Sequence, residues 1–284
     1  MTTRSILTLS CTDRPGIVAA VATFLASQGC NILESAQFDD IDTGRFFMRV
    51  VFEPVEARAT LAELGSGFPA IAASFDMTWE LHDAGVHPRV LILVSKQDHC
   101  LNDLLYRYRI GAMPMEPVAV VSNHRDTYKL AASYDVPFHH LPIAPTSRVA
   151  QEAKLEAVID ETGAELVVLA RYMQVLSGPL VSKLEGRAIN IHHGLLPSFK
   201  GAKPYHQAHA RGVKLIGATA HYVTRELDEG PIIEQEVARV EYNMRAEDLV
   251  ALGRDVECLA LARAVKCHLE HRVFLNGQKT VVFR

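Results

Sequence analysis

The segment Asn190-Ile191-His192 carries the residue types best suited to chemistry in this chain. Asn190 and His192 are two positions apart, so in a β-strand they project to one side while the neighbouring isoleucines face the other. An amide donates hydrogen bonds, and histidine is the side chain that ordinarily exchanges protons near neutral pH. The strand-like run ends at Gly194 and Pro197. An open α/β sheet usually exposes its ligand crevice at such a position.

Asp228 adds a carboxylate from a loop that follows the apolar run containing His221. Acyl transfer needs an oxyanion stabiliser, a proton carrier and a group that orients or activates the nucleophile. Asn190 suits the first role and His192 the second, while ionised Asp228 could hold an attacking water and take its proton. The sequence leaves open whether His192 or Asp228 is the base. Alone, an Asn-x-His at a strand end is more often a structural polar cap.

The neighbouring histidines raise the alternative of a metal site, because imidazole is a common zinc ligand. His192 and His193 point to opposite sides of a strand, and no H-E-x-x-H motif or second acidic ligand lies nearby. We therefore predict no metal. His221 lies in an otherwise apolar run and is interpreted as a residue that hydrogen-bonds near Asp228.

The first 84 residues predict a small ferredoxin-like β-α-β-β-α-β domain. Asp13 is placed to cap the first helix, with a proline near its first position. Glycine and proline in residues 85–88 mark a connector, so the expected domains are 1–84 and 85–284. The predicted strands cover 5–11, 31–38, 45–52 and 77–82, and the predicted helices cover 15–28 and 55–72.

Residues 85–284 predict an α/β domain with a doubly wound, mainly parallel sheet. Continuous apolar runs at 90–94 and 166–170 are typical of strands buried on both faces, with helices on either side. Further strands are predicted at 118–122, 189–192 and 232–240. Helices are predicted at 101–108, 128–133, 148–162 and 246–271, before a terminal β pair at 273–275 and 280–283.

Composition narrows the classes of partner. The formal net charge of −4, without a block of Lys or Arg, argues against nucleic acid or an anionic membrane. No signal peptide and no long apolar span is visible, so we expect a cytoplasmic protein. The five cysteines are scattered without a C-x-x-C pair, which predicts reduced, mostly buried thiols. The expected partners are small molecules or further copies of the chain.

The order of these motifs resembles the folate-dependent formyltransferase superfamily. The resemblance lies in Asn190-Ile191-His192 with residues 195–199, and in Asp228 seven residues after His221. Residues 94–101, 169–174, 200–208 and 253–257 are similar to the 10-formyltetrahydrofolate deformylase branch, and residues 13–17 resemble its ACT module. The resemblance covers essentially the whole chain.

The resemblance implies a hydrolase that converts 10-formyltetrahydrofolate and water to formate and tetrahydrofolate, and so balances the one-carbon folate pool. The folate is then the substrate, and no cofactor is expected. Catalysis would rest on Asn190, His192 and Asp228. Folate binding would involve Met173, Gln174, Leu176, His221 and Gly230.

We expect water to be the acceptor of the formyl group, because the chain lacks a glycine-rich loop that could bind a phosphorylated amine. Transferases that act on a phosphorylated amine carry a glycine-rich loop after the first strand, where backbone N–H groups approach the phosphate. Residues 95–100 contain no glycine. The loop at 200–206, with Lys203 and Tyr205, is expected to close the acceptor side against bulkier amines. The alternative is an ordinary surface loop.

The N-terminal domain has two interpretations. A helix N-terminus favours carboxylates, so Asp13, Gly16 and Asn31 could hold an amino-acid effector. The domain could equally serve only to assemble a homo-oligomer, a dimer or tetramer, by joining sheets edge to edge. Two alternative functions also remain open for the whole chain: a formyltransferase to an amine acceptor, and an amino-acid-sensing regulator whose catalytic half is inert.

Overall fold

The computed structural model describes residues 4–55, 60–143, 148–197 and 204–284. The chain divides into two compact units. The N-terminal unit comprises residues 1–87 with 270–274 and 281–284, and the second unit comprises 88–269 with 275–280. The grouping of C-terminal segments with the N-terminal unit is not predictable from the sequence, because a short β pattern does not indicate what it packs against.

The N-terminal unit is built on an antiparallel four-stranded sheet in the order β2-β3-β1-β4. This is the predicted ferredoxin-like arrangement of strands and helices. Alternate strand residues, among them Leu7, Leu9 and Phe52, form a core with apolar residues of the first helix. The elements are β1 Ser5–Thr12, α1 Ile17–Ser27, β2 Cys30–Asp40, β3 Arg45–Pro54, α2 Leu61–Gly67, α3 Pro69–Ser74 and β4 Thr78–Asp83.

Two helix predictions in this unit need correction. Helix α1 begins after Gly16, whose φ of 100° suits glycine, and no side chain caps it, so Asp13 is not the cap. The single helix expected at 55–72 is two helices, because Pro69 cannot continue α2 and instead opens α3. Thr60 and Glu63 form a capping box at the start of α2. Residues 56–59 lie outside the described part.

The second unit contains a seven-stranded sheet in the order β11-β10-β9-β8-β5-β6-β7. Strands β5 to β9 are parallel, and β10 and β11 extend the sheet antiparallel. The strands are β5 Arg89–Val94, β6 Glu116–Ser122, β7 Phe138–His140, β8 Leu166–Leu169, β9 Ala188–His192, β10 Leu215–Tyr222 and β11 Ile232–Arg239. The helices are α4 His99–Arg109, α5 Tyr128–Ala132, α6 Arg148–Thr162, α7 Gly178–Lys183, α8 Pro204–Ala210 and α9 Ala246–Leu269.

Long elements match the sequence-based expectation, and short ones were missed. Helix α6 has the predicted bounds, whereas β7, α7 and α8 were not predicted. Segments of three to seven residues hold too few repeats for periodicity to identify them. The terminal pair, β12 Val273–Asn276 and β13 Lys279–Val282, is present as predicted.

The sheet topology fixes where a ligand crevice can lie. From β5 the chain continues on one side to β6 and later returns on the other side as β8, so the connections diverge between β5 and β8. Ligands of open α/β sheets bind beyond the carboxyl ends of the strands at such a switch point. The segments that follow β5, β8 and β9 therefore form the candidate site. Across the described ranges, no helix is long and apolar enough to cross a membrane.

The cysteines are thiols, as the sequence predicts. Cys11, Cys30 and Cys100 are buried, and Cys258 and Cys267 are half-buried.

Candidate active site

Strand pairing brings the candidate catalytic groups together. Asn190 on β9 pairs with His221 on β10, and cross-strand partners are close neighbours. The Asn190 Nδ2 atom lies 3.2 Å from His221 Nε2. Asp228, in the loop after β10, places its Oδ2 atom 3.2 Å from His192 Nδ1. The amide, the imidazole and the carboxylate singled out in the sequence thus form one group.

The loop that carries Asp228 is held against the end of β10. Asp228 has a φ of 57°, a left-handed conformation that Asp tolerates better than most residues. At Gly230 an added Cβ atom would lie 1.7 Å from the Tyr222 carbonyl oxygen. The Tyr222 N–H donates to the Pro231 carbonyl at 2.9 Å. The close approach of Gly230 to Tyr222 holds the loop in a conformation in which Asp228 contacts His192.

The hydrogen bonds among His221, Asn190 and His192 determine which of their side-chain nitrogen atoms remain available to bind a substrate. The Nδ1 atom of His221 lies 2.8 Å from the Tyr222 carbonyl oxygen, so Nδ1 carries the proton because a carbonyl only accepts. In the neutral ring, Nε2 then accepts from the Asn190 amide, whose second N–H stays available. His192 turns Nδ1 toward Asp228, and its buried Nε2 atom has no partner among the described residues.

Asp228 is ionised across the physiological range. Hydrogen bonding by His192, with His221 close by, outweighs the effect of burial and holds the pKa of Asp228 well below its usual range. His192 itself is only 4% exposed. A buried imidazole against a fixed negative charge is well placed to carry a proton.

These groups line a cavity of about 640 Å³, a volume ordinary for small-molecule sites. Of the residues expected to contact folate, Met173, Gln174, Leu176 and His221 also line it. Gly230 is not among the lining residues, and its close approach to Tyr222 gives it a packing role instead.

The expected acceptor-side loop is described only in part. Tyr205 lines the cavity and is 6% exposed. Lys203 lies outside the described residues.

Four lining residues that the sequence did not single out form a buried polar network with Tyr205. Glu257 Oε1 accepts from the Tyr205 hydroxyl at 2.8 Å, and Oε2 lies 2.7 Å from His99 Nε2 and 3.4 Å from Arg171 Nε. Arg171 also donates to Gln97 Oε1 at 2.7 and 2.9 Å. Burial alone would raise the pKa of Glu257, but His99, Arg171 and Tyr205 together lower it. Glu257 is therefore a buried carboxylate.

His193 stands beside both groups. Its ring centroid is 5.3 Å from that of His192 and 6.4 Å from that of Tyr205. Burial, reinforced by the charge of Arg171, lowers the pKa of His193 to about 4. The ring is neutral at pH 7.

Part of the same network could in principle be a metal site. His99, Cys100 and Glu257 place potential ligand atoms within 4.8 Å of one another. Arg171 already shares a Glu257 oxygen with His99, and burial raises the pKa of the Cys100 thiol well above its usual value. A protonated thiol is a poor metal ligand, so this set suits an ion-pair network better than a cation. The N-terminal unit has a second such set, Glu80, His82 and His271.

The candidate effector residues lie in the N-terminal unit. Asp13 and Asn31 are exposed, and Gly16 precedes α1. Between Asp13 and Gly16, the Arg14 guanidinium lies over the Phe75 ring at 4.6 Å and donates to the Ser74 carbonyl. Effector binding by these residues stays a prediction.

Replacing Gly230 by Ala is expected to lower the free energy of unfolding by about 3 kcal/mol, because a backbone oxygen cannot yield to the new methyl group. Any reaction that depends on Asp228 should slow as well, since Asp228 would move. The measurement is urea unfolding followed by circular dichroism. Gly178→Ala is the matched control, because nothing lies within 4 Å of its added Cβ atom. Equal unfolding midpoints for the two variants would contradict the packing role.

Comparison with known proteins agrees with this geometry. A family model described as Formyl transferase matches residues 88–265, and one described as ACT domain matches residues 5–66. Both parts of the expected fold are thereby confirmed.

Similarity to individual proteins extends over the full chain. The formyltetrahydrofolate deformylase of Corynebacterium sp. (strain P-1) is 55% identical, over 99% of this chain and 98% of that protein. That of Bacillus subtilis (strain 168) is 46% identical, over 98% and 93% respectively. The crystal structure of the Burkholderia mallei formyltetrahydrofolate deformylase superposes with a TM-score of 0.95 at 54% identity, covering 99% of this chain and 100% of that one. The chain belongs to the formyltetrahydrofolate deformylase family.

Proposed function

We propose that this protein hydrolyses 10-formyltetrahydrofolate with water to formate and tetrahydrofolate. The observation that carries the proposal is the convergence of Asn190, His192 and Asp228 on one cavity, with His192 Nε2 left without a partner among the described residues. Full-length similarity to proteins named formyltetrahydrofolate deformylase supports the same reaction.

Each of the three residues has a distinct role in this mechanism. Water attacks the formyl carbon, and the carbonyl oxygen becomes an oxyanion that accepts the free N–H of Asn190. His192 Nε2 takes the water proton and delivers it to the departing folate nitrogen as the C–N bond breaks. The other water proton stays on the released formic acid, which ionises to formate, and the second product is tetrahydrofolate.

We assign the proton transfer to His192 and not to Asp228 because His192 Nε2 has no partner among the described residues, whereas the Asp228 carboxylate already faces His192 Nδ1. The pKa of Asp228 is well below its usual range, so this carboxylate is a weak proton acceptor. Asp228 instead orients the imidazole through Nδ1 and stabilises its protonated form.

The loop between β5 and α4 supports water as the acceptor. Ser95 Oγ donates to Asn123 Oδ1 at 2.8 Å and accepts the Met173 N–H at 3.0 Å. Gln97 and His99 are engaged by Arg171 and Glu257. The loop thus presents side chains to the cavity, whereas a phosphate cradle needs close approach to backbone N–H groups.

Formate release in buffer alone tests the proposal. Purified protein is given 10-formyltetrahydrofolate without any amine, and formate and tetrahydrofolate are measured. We expect equal amounts of both products, and none with His192→Ala. Formyl loss only after an amine is added would favour a formyltransferase. No reaction under either condition would favour the regulator with an inert catalytic half.

We further propose that the reaction uses no metal or cofactor. The match to an ACT domain supports a small-molecule effector or an assembly role for the N-terminal unit. The identity of an amino-acid effector, a homo-oligomeric state and a cytoplasmic location stay predictions from the sequence.

A further inference from the structure

A polar cluster lines the catalytic cavity but has no part in the proposed chemistry. It consists of Tyr205, Glu257, His99 and Arg171, and we call it the ionic cluster. Every member lines the same cavity as Asn190 and His192. Glu257 is 1% exposed, and both of its oxygens are engaged within the ionic cluster.

The position of Tyr205 is held from two sides. Its hydroxyl donates to Glu257, and its ring lies on the backbone of helix α9 at Gly253. A Cβ atom at Gly253 would be 2.2 Å from the ring carbon Cζ of Tyr205. Glycine is unfavourable inside a helix, so the presence of Gly253 within the 24 residues of α9 is explained by the close packing of the Tyr205 ring against the helix backbone. Tyr205 is therefore a rigid part of the cavity.

The ring also lies near the reaction centre. The ring of His193 is a neighbour of both rings, with its centroid 6.4 Å from that of Tyr205 and 5.3 Å from that of His192. A nucleophile larger than water would need space beside His192, and Tyr205 with its neighbours fills space in this part of the cavity.

We propose that the ionic cluster is the specificity determinant that restricts the nucleophile to water. Tyr205 excludes an amine by occupying volume, and the Glu257 carboxylate is buried with both oxygens already in contact with Tyr205, His99 and Arg171, which weakens its attraction for an amine. Removal of Tyr205 would open space and free Glu257 Oε1 to accept a hydrogen bond from an amine. This inference rests on the proposed hydrolytic function and names the structural origin of its acceptor preference.

The test measures how the formyl group partitions between water and an added amine. Methoxyamine is a suitable probe, because it is small and largely unprotonated at neutral pH. In the amine reaction the formyl carbon forms a bond to the methoxyamine nitrogen, its bond to the folate nitrogen breaks, and the amine proton ends on the folate. The ratio of N-methoxyformamide to formate is determined by mass spectrometry.

From the unaltered protein we expect formate with only a trace of N-methoxyformamide, and the same small ratio from Tyr242→Ala, the matched control, since Tyr242 is 97% exposed. Tyr205→Ala should raise the ratio at least about tenfold, the scale on which added pocket space changes discrimination. Tyr205→Phe should keep most of the preference for water, because the ring still fills the space.

Gly253→Ala gives an independent route to the same result. The added methyl group must displace the Tyr205 ring while leaving its chemistry unchanged, so the ratio should rise here too. If Tyr205→Ala does not fold, Gly253→Ala decides. An unchanged ratio in the folded Tyr205→Ala or Gly253→Ala protein would overturn the inference. Formate release by the unaltered protein is measured separately, so failure of the proposed function would be recognised on its own.

Discussion

Replacing Asp228 by Asn is expected to lower kcat for formate release by about 10²–10⁴, the range for losing assisted proton transfer. The Oδ2 atom of Asp228 lies 3.2 Å from His192 Nδ1, and in the proposed mechanism the carboxylate stabilises the imidazolium that forms when Nε2 takes the water proton. An amide keeps the shape of the side chain but carries no charge. It can also present an N–H to Nδ1 and so select the wrong tautomer.

Asn is the appropriate substitute because of the backbone. Asp228 has a φ of 57°, and Asn tolerates this left-handed conformation as Asp does. Ala would add backbone strain at this left-handed position, and its effect on kcat would then combine the strain with the loss of the charge. Asp135→Asn is the matched control, since Asp135 is exposed and has a φ of 58°. We expect normal turnover from the control.

Turnover and folding are measured together by steady-state kinetics and circular dichroism. Near-normal kcat in a folded Asp228→Asn protein would remove Asp228 from the mechanism. A loss of kcat in both aspartate variants would mean that replacing Asp by Asn at a left-handed position disturbs the backbone, and the loss could then not be attributed to the charge of Asp228.

The ionisation of Asp228 also predicts a pH dependence of stability. Because its pKa is depressed in the folded protein, its contribution is complete above the ordinary carboxyl pKa and is lost as the pH falls through the lowered value. The stability difference between the unaltered protein and Asp228→Asn should therefore be constant at neutral pH and shrink in acid. Urea unfolding at several pH values measures it.

The candidate catalytic group could be predicted from sequence because its geometry is local. Alternation in β9 places Asn190 and His192 on one side, and the loop after His221 supplies Asp228. The pairing of Asn190 with His221 follows once β9 and β10 are neighbours. Short-range rules and motif order were sufficient for this part of the site.

The members of the ionic cluster lie in the four deformylase-like segments of the sequence, but their grouping could not be predicted in the same way. His99 and Glu257 are 158 positions apart, and Arg171 and Gln97 are 74 apart, so no periodic pattern links them. Arg171 also has a φ of 64°, which is unusual for a residue other than glycine. A single sequence does not reveal contacts that depend on the order of strands in a sheet.

The N-terminal unit shows the same limit. Arg49 is 3% exposed and donates to the Glu270 carbonyl at 3.1 Å and to Glu34 at 3.0 Å. The second contact is between neighbouring strands, but the first requires residues 270–274 to group with this unit. A buried arginine needs such partners, yet nothing near Arg49 in the sequence identifies them.

Replacing Asn190 by Ala is expected to lower kcat by about 10²–10³ with little change in KM, because an oxyanion donor acts mainly in the transition state. His221 orients the amide through the 3.2 Å contact, so the second N–H is set before substrate arrives. Asn102→Ala, at an exposed position on α4, is the matched control. Steady-state kinetics on both variants separate the two constants. A raised KM with unchanged kcat would show that Asn190 only binds the folate, and the oxyanion would then need another donor.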